Sequence, residues 1–192
     1  MFAGVGTKKE IKAKENEYGH ANRSWVFFDR KDLIVSKTNL KGHLTYANDI
    51  FIEIAGYTEE EVIGQPHNMI RHPDMPRCVF KLLWDTIQTG NEIFAYVMNM
   101  TKNGDHYWVL AHVTPSYDAS GSLVGYHSTR RVPNPNTISN IIVPLYADLS
   151  SIERSTSSAK DGMQASFDKL IETLNEKETE YDEFVSSLAR AA

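Results

Sequence analysis

The order of its predicted elements indicates an α+β fold for this chain, with helices packed on one face of an antiparallel sheet. Two strand-like segments come first, several short helices with recognisable caps follow, and three further strands come in direct succession. An Asn103-Gly104 pair, typical of a tight hairpin, joins the first two of these last three strands. Such an arrangement can enclose a small pocket between the sheet and the helices.

Each predicted strand is rich in β-branched or aromatic residues and is bounded by turn-forming residues. The Asn39-Leu-Lys-Gly42 segment supplies the turn between the first two strands. The five strands are predicted over Leu33–Thr38, His43–Tyr46, Ile93–Thr101, His106–Ser116 and Leu123–Arg131.

Three helices are predicted between the second and third strands. Either Asn48 or Asp49 can cap the first. Thr58 and Glu61 form a capping box for the second. The longest covers about 77–89, after a proline suited to a helix start. Its apolar stripe comprises Val79, Phe80, Leu83, Trp84 and Ile87.

Composition divides the chain into four parts. Residues 1–32 form a polar arm or cap, and residues 33–132 form the folded domain. Residues 133–157 are expected to be a linker with a short helix, and residues 158–192 an amphipathic helix that resembles a coiled coil.

Two segments outside the domain are candidates for contacts with a partner. The apolar residues 25–28 are costly to expose, so we expect them to pack on the domain or on another protein. The last helix carries a heptad seam, which favours either self-association or pairing with a partner helix, or a position on its own domain. The seam comprises Phe167, Leu170, Leu174, Lys177, Tyr181, Phe184 and Leu188.

Composition and motifs exclude several classes of protein. The formal net charge of −5 argues against nucleic-acid binding. The single cysteine, Cys78, excludes an internal disulfide and a multi-cysteine metal site. The sequence shows neither a signal peptide nor an apolar run long enough for a membrane span, so we expect a cytoplasmic protein. It also lacks a Gly-rich phosphate loop and a G-x-S-x-G motif, and we do not expect an enzyme.

Three stretches carry a family resemblance: LKGHLTYANDIFIEIAGYTEEEVIGQPHNMIRHPDMPRCVF, KNGDHYWVLAHVTP and GYHSTR. Together they resemble a PAS domain, and the combination of GQPHNMIRHPDMP with KNGDHYWV resembles the sensor domain of bacterial aerotaxis receptors. The resemblance covers residues 39–131. It implies the PAS fold, a five-stranded antiparallel sheet of order 2-1-5-4-3, and non-covalent binding of flavin adenine dinucleotide (FAD).

The RHPDMP segment is the first candidate site. Arg71 and His72 place two basic groups beside Asp74, just before the longest helix, and both arginine and a helix start attract phosphate. Alternatively, Arg71 pairs with Asp74 and only stabilises a surface turn. The resemblance implies that Arg71, His72 and Asp74 help to retain FAD.

Further polar and aromatic residues are candidates for the cofactor pocket. The polar side chains either bind the edge of the flavin ring or cap helices, and the tryptophans either line the pocket or belong to the core. These candidates are His67, Asn68, Asn48, Asn99, Trp84 and Trp108. The Pro-Trp pair usual in the aerotaxis family is replaced here by Glu92-Ile93, unless Phe94 supplies the missing aromatic ring.

One other cofactor, haem b, and a cofactor-free function remain open. Haem b would need an axial ligand from among His67, His72, His106, His112 and His127. Flavin–cysteine adduct chemistry is not expected, because residues 65–71 contain no cysteine. The remaining alternative is a cofactor-free PAS scaffold that only dimerises.

The resemblance implies a redox or energy sensor in chemotaxis. Because no output module follows the domain within these 192 residues, we expect it to signal in trans to a chemoreceptor. We also expect a homodimer formed through the PAS domain and the flanking helices.

Overall fold

One five-stranded antiparallel sheet organises the chain, in the order β2-β1-β5-β4-β3. The computed structural model describes residues 25–190, so most of the predicted arm lies outside the described residues. The strands are β1 Ile34–Asn39, β2 Leu44–Ala47, β3 Ile93–Met100, β4 His106–Tyr117 and β5 Leu123–Arg131. The α+β class and the sheet order are confirmed, and each strand end lies within one residue of its predicted position.

Local capping signals explain the helices between β2 and β3. Asn48 Oδ1 accepts a hydrogen bond from the Phe51 amide at 3.1 Å and so caps the first helix. Both hydrogen bonds of the predicted Thr58–Glu61 capping box form at the second. The segments are α1 Asp49–Ala55, α2 Glu59–Val62, a 3₁₀ turn at His67–Ile70, and α3 Arg77–Gln88.

Strand alternation gives the sheet two faces with different environments. Val97 and Asn99 of β3 point to the inner face, towards α3. Tyr96 of the same strand and Trp108 of β4 point to the outer face, where Trp108 packs 5.9 Å from the ring of Tyr146. Helices therefore lie on both sides of the sheet.

The C-terminal part is packed more closely than a linker and a free helix would be. Its elements are a single turn α4 Pro135–Thr137, a π-helical segment Ile138–Ile142, α5 Val143–Ser155, α6 Ala159–Glu176 and α7 Tyr181–Arg190. The residues at 138, 142 and 149 of the predicted linker are buried in the main core. This region is part of the folded body.

The predicted heptad seam does not form one continuous helix. The chain breaks between α6 and α7, where Glu178 adopts a φ of 52°. Leu170 and Leu174 are 1% and 4% exposed, and with the other apolar seam residues they pack against the domain core. The seam therefore lies on its own domain, and not against a partner helix.

The apolar segment at 25–28 also packs on the domain. The Val26 amide donates to the His106 carbonyl at 2.8 Å, and the rings of Trp25 and Phe27 stack 4.9 Å apart. Within residues 25–190, no helix combines the length and the apolar character needed to cross a bilayer.

Candidate functional site

A cavity of about 380 Å³ separates the inner face of the sheet from α3. Side chains of β1, β3, β4 and β5 form one wall, and Phe80, Leu83, Trp84 and Ile87 of α3 form the opposite wall. Its volume lies within the range of about 300–1,000 Å³ that is typical of small-molecule sites. The fold therefore provides the pocket that the element order predicts.

Five of the nine predicted site residues line this cavity. Arg71 and the 3₁₀ turn before it form one end, Trp84 belongs to the helical wall and Asn99 to the sheet wall. The five are His67, Asn68, Arg71, Trp84 and Asn99. The structure brings together residues that are up to 32 positions apart in the sequence.

His72 and Asp74, by contrast, turn away from the cavity. His72 is 5% exposed and packs against the ring of His106 at 5.6 Å, while its Nδ1 accepts from the Asp74 amide at 3.1 Å. The Asp74 carboxylate is exposed and lies 3.5 Å from Arg154. The motif is split because the chain crosses the β3 edge here, where the His72 amide donates to the Met98 carbonyl. The geometry also excludes the simple Arg71–Asp74 pair, because Arg71 donates elsewhere.

Asn48 and Trp108 have structural positions outside the cavity. Asn48 ties β1 to α1: its Oδ1 accepts from the Val35 amide and its Nδ2 donates to the Leu33 carbonyl, at 2.9 and 2.8 Å. Trp108 faces the helices on the outer side of the sheet. Phe94 also has outer-face parity and stacks on His112 at 4.1 Å, so it does not replace the missing aromatic ring at the cavity.

A buried arginine that was not among the predicted site residues dominates the inner wall. Arg130 Nη2 donates to Ser36 Oγ at 2.9 Å and to His67 Nε2 at 2.6 Å. Burial lowers the pKa of Arg130 to about 10, so the guanidinium remains charged at neutral pH. Burial, and then the charge of Arg130, lowers the pKa of His67 to about 3. His67 is therefore neutral and accepts through Nε2, although part of its surface faces the cavity.

Three polar atoms on the sheet wall have no hydrogen-bond partner within the described residues. They are Asn99 Nδ2, Ser128 Oγ and Arg130 Nη1. All three side chains line the cavity and are less than 9% exposed. An unpaired buried polar group costs about 1–3 kcal/mol. These atoms are therefore positioned to bind a polar ligand.

The cavity is also strongly cationic. Lys41, Arg71 and Arg130 line it, and its lining contains neither Asp nor Glu. Arg71 is half-buried: its Nη2 donates to the Met75 carbonyl at 2.7 Å, and its guanidinium lies 4.6 Å from the centroid of the Phe80 ring. Such a lining attracts an anionic ligand.

A periodic signal in β5 would have revealed the missed residues. Tyr126, Ser128 and Arg130 occupy alternate positions of GYHSTR and so share a face. A serine and an arginine at the inward positions of a central strand are unusual in a core. That pattern indicates a polar pocket wall.

The other histidines among residues 25–190, and the cysteine, lie outside the cavity lining. His112 pairs with Glu92 at 2.9 Å, and His127 has outer-face parity on β5. Cys78 is buried in α3, where Ser166 Oγ donates to its sulfur at 3.1 Å and burial raises the thiol pKa to about 11. Among the residues described, no three His, Cys, Asp or Glu side chains converge as a metal site requires.

Comparisons with known proteins agree with this architecture. Residues 44–130 match the family described as the PAS fold. Over 118 residues, the chain is 42% identical to the aerotaxis receptor of Escherichia coli (strain K12), a match that covers 62% of this chain and 23% of the receptor. It is 26% identical over 115 residues to phototropin-1A of Oryza sativa subsp. japonica, with 59% of this chain and 12% of the relative covered.

Among solved structures, the dark structure of the blue-light photoreceptor Aureochrome1 LOV superposes with a TM-score of 0.52 at 15% identity. That match covers 62% of this chain and 86% of the other, and it shows the fold alone. The chain spans less than a quarter of the length of the two curated relatives described above. Residues 44–130 of this chain therefore match the PAS fold, and the chain is similar to the aerotaxis receptor over 118 residues.

Proposed function

We propose that this protein is a cytoplasmic redox sensor of the aerotaxis type that binds FAD non-covalently in the cavity between the sheet and α3. A bound flavin supplies reversible electron transfer, with a change in its charge and protonation. Asn99 and Arg130 present donors to the cavity, and their interaction free energy differs between an oxidised and a reduced ligand. Such a difference is what a ligand-state switch requires.

The single observation that carries the proposal is the combination of unpaired donors and positive charge in one cavity that also has an apolar wall. The sheet wall offers the unpaired atoms of Asn99, Ser128 and Arg130. The opposite wall is apolar and includes the indole of Trp84. A flat heteroaromatic ring with polar edges complements both walls.

The same cations support a phosphate-bearing ligand. Arg71 lies at one end of the cavity lining, and the exposed Lys41 follows the β1 strand at the turn into β2. A flavin ring held between the walls would direct its acidic tail towards these groups. The relation to the aerotaxis receptor favours FAD among the flavins.

The geometry of the histidines favours flavin over haem. His67 is the histidine among the cavity-lining residues, and its Nε2 already accepts from Arg130. A haem ligand needs that lone pair free. The protonated, buried thiol of Cys78 lies outside the lining, so light-driven adduct chemistry is not proposed either, and no catalytic step is assigned.

The decisive experiment is the absorption spectrum of the freshly purified protein. The two long-wavelength bands of an oxidised flavin are expected, and mass spectrometry of the released ligand should identify FAD. A Soret band would establish haem instead, and a spectrum without either, unchanged after incubation with FAD, would establish the cofactor-free scaffold.

An Arg71→Ala variant tests the phosphate contact. Loss of a charge-assisted hydrogen bond is expected to lower FAD affinity about tenfold or more, with the fold retained by circular dichroism. Arg131→Ala is the matched control, because Arg131 is exposed at the end of β5 and points away from the cavity. Equal FAD affinity in both variants would contradict the contact.

We also propose that the protein signals in trans to a chemoreceptor and forms a homodimer through its PAS domain and flanking helices. The relation to the aerotaxis receptor supports a chemotaxis partner. Sedimentation analysis at micromolar concentration should give the mass of a dimer. The mass of a monomer would contradict the proposed homodimer.

A further inference from the structure

The Arg130 guanidinium is held through one of its terminal nitrogens. Nη2 donates to Ser36 Oγ at 2.9 Å and to His67 Nε2 at 2.6 Å, so each of its two N–H groups has an acceptor. Nη1 is buried and has no hydrogen-bond partner within the described residues. Since a guanidinium is planar and carries its donors in a fixed fork, the two bonds at Nη2 also fix the direction of Nη1.

Both acceptors belong to well-anchored parts of the chain. Ser36 is 1% exposed and lies on β1, which pairs with β2 on one side and with β5 on the other. His67 begins the 3₁₀ turn, where its amide donates to the Gly42 carbonyl at 2.9 Å. The Phe51 ring packs edge-on against the imidazole, with the ring centroids 6.2 Å apart. These contacts hold both acceptors beside Arg130.

The contact with Arg130 makes His67 a hydrogen-bond acceptor. A guanidinium has donors but no acceptor atom, so the imidazole nitrogen that faces it carries the lone pair. That nitrogen is Nε2, and the proton of the neutral ring is therefore on Nδ1. Because Nε2 is engaged by Arg130, His67 acts on a ligand in the cavity through the position of the guanidinium.

Among the described residues that line the cavity, no carboxylate offsets the charge of Arg130. A buried charge without a counter-charge or a full set of hydrogen bonds lowers stability. Ser128, two positions earlier on the same face of β5, adds a second unpaired donor. This part of the wall therefore favours a ligand edge that presents acceptor atoms, such as the carbonyl oxygens of a flavin ring.

We infer that Ser36 and His67 are positioning residues, which orient Arg130 so that its guanidinium meets an acceptor atom on the ring edge of the ligand. This inference rests on the proposed flavin site. Arg130 is then the residue that contacts the ligand, and Ser36 and His67 affect ligand affinity through it. Replacement of either acceptor lets the guanidinium rotate, and part of its interaction with the ligand is lost.

Titrations of the full chain freed of cofactor test this role with riboflavin and FAD, which share the ring but differ in their phosphates. Ser36→Ala and His67→Leu should each lower the affinity for both ligands about fivefold, the effect of one lost hydrogen bond. Equal losses are expected because the contact lies at the ring. A loss confined to FAD would place the guanidinium at the phosphates and overturn the inference.

Three further variants show whether the lost acceptor is the cause. His67→Gln should restore most of the affinity, because its amide oxygen can accept from Arg130. Ser166→Ala and His112→Gln are the matched controls and should leave the affinity unchanged. Ser166 is a buried serine that donates to Cys78 Sγ, and His112 pairs with Glu92; both lie outside the cavity lining.

An Arg130→Met background separates positioning from direct contact and from a general structural effect. In that background, Ser36→Ala and His67→Leu should leave riboflavin affinity unchanged, because the residue through which they act is gone. A further fivefold loss in the double variants would overturn the inference.

Nitrogen NMR of the unmodified protein gives a measurement that does not depend on how the variants fold. Riboflavin should shift the Arg130 guanidinium signals, and His67 Nε2 should keep the chemical shift of an unprotonated nitrogen with and without the ligand. A protonated Nε2, or guanidinium signals that bound riboflavin leaves unchanged, would overturn the inference and leave the flavin site intact. Failure of the unmodified protein to bind either flavin would instead overturn the proposed function.

Discussion

The two faces of the sheet are formed by the same strands but differ in packing and in hydrogen bonding. On the outer face, Trp108 packs against Tyr146, and the Tyr146 hydroxyl donates to the Tyr96 carbonyl at 2.7 Å. On the inner face, Ser128 and Arg130 leave polar atoms unpaired around a cavity. The outer face is a well-packed core, whereas the inner face is less closely packed and borders an open cavity.

This difference teaches where stability and function reside in the molecule. Cavities and unpaired polar atoms both lower the free energy of unfolding, so the inner face is the weaker half. Burial of aromatic side chains under the C-terminal helices offsets that weakness. Substitutions on the outer face should therefore affect stability, and substitutions on the inner face should affect ligand binding.

The largest effect is expected for Trp108→Ala. Trp108 is 4% exposed, and truncation of a buried tryptophan costs about 3–5 kcal/mol of unfolding free energy. Trp84→Ala is the matched inner-face variant and should cost less than half as much, since its indole borders the existing cavity. Urea unfolding measures both, and equal losses would break the comparison.

Arg130→Met should weaken ligand binding strongly but change stability little. We expect FAD affinity to fall tenfold or more, because the buried donors are removed, while the free energy of unfolding changes by about 1 kcal/mol or less. The Ser36 hydroxyl, 3.4 Å from His67 Nε2, can replace the lost donor to His67. Isothermal titration and urea unfolding of the same sample check the prediction, and a loss of stability as large as that of Trp108→Ala would contradict it.

His67 should make the stability of the inner face sensitive to acid. Its pKa is lowered from 6.5 to about 3 in the folded protein, so between these values the unfolded chain binds a proton that the folded chain does not. The stabilisation that depends on a neutral His67 is therefore complete above pH 6.5. As the pH falls towards 3, the free energy of unfolding decreases by up to about 1.4 kcal/mol per pH unit. The slope of unfolding free energy against pH should be shallower by this amount in His67→Gln, and identical slopes would contradict the assignment of a neutral histidine.

The smallest effects are expected for two glycine substitutions, which distinguish backbone strain from contact with the cavity wall. Gly42 and Gly104 both have positive φ, at 77° and 88°, so alanine costs about 1 kcal/mol at either. A Cβ at Gly42 would also lie 3.0 Å from the Trp84 ring, whereas nothing lies within 4 Å of one at Gly104. Gly42→Ala should therefore also weaken FAD binding, whereas Gly104→Ala should leave it unchanged.

Local patterns predicted most of the fold and part of the site. The Thr58–Glu61 capping box and the hairpin at Asn103-Gly104 depend on neighbouring residues, and both form as predicted. Arg71 of the RHPDMP motif lines the cavity, and its predicted contact with a ligand phosphate stays a prediction. The motif did not show that His72 and Asp74 turn away, because that follows from the crossing of the β3 edge, a tertiary feature.

The heptad seam illustrates the same limit. Its 3-4 spacing predicts an apolar stripe, and the stripe is buried, but spacing alone does not distinguish a partner helix from the surface of the same chain. Leu170 and Leu174 pack on their own domain, since α5 returns the chain to α3.

The sequence by itself therefore determined the strands and the caps, because hydrogen bonds and side-chain alternation within short segments govern them, whereas the sheet order was implied only by the family resemblance. Only the tertiary structure decided that Arg130, Ser36 and His67, up to 94 positions apart, meet at one wall. These contacts join residues that are distant in the chain, and packing of whole elements, rather than any local pattern, brings them together.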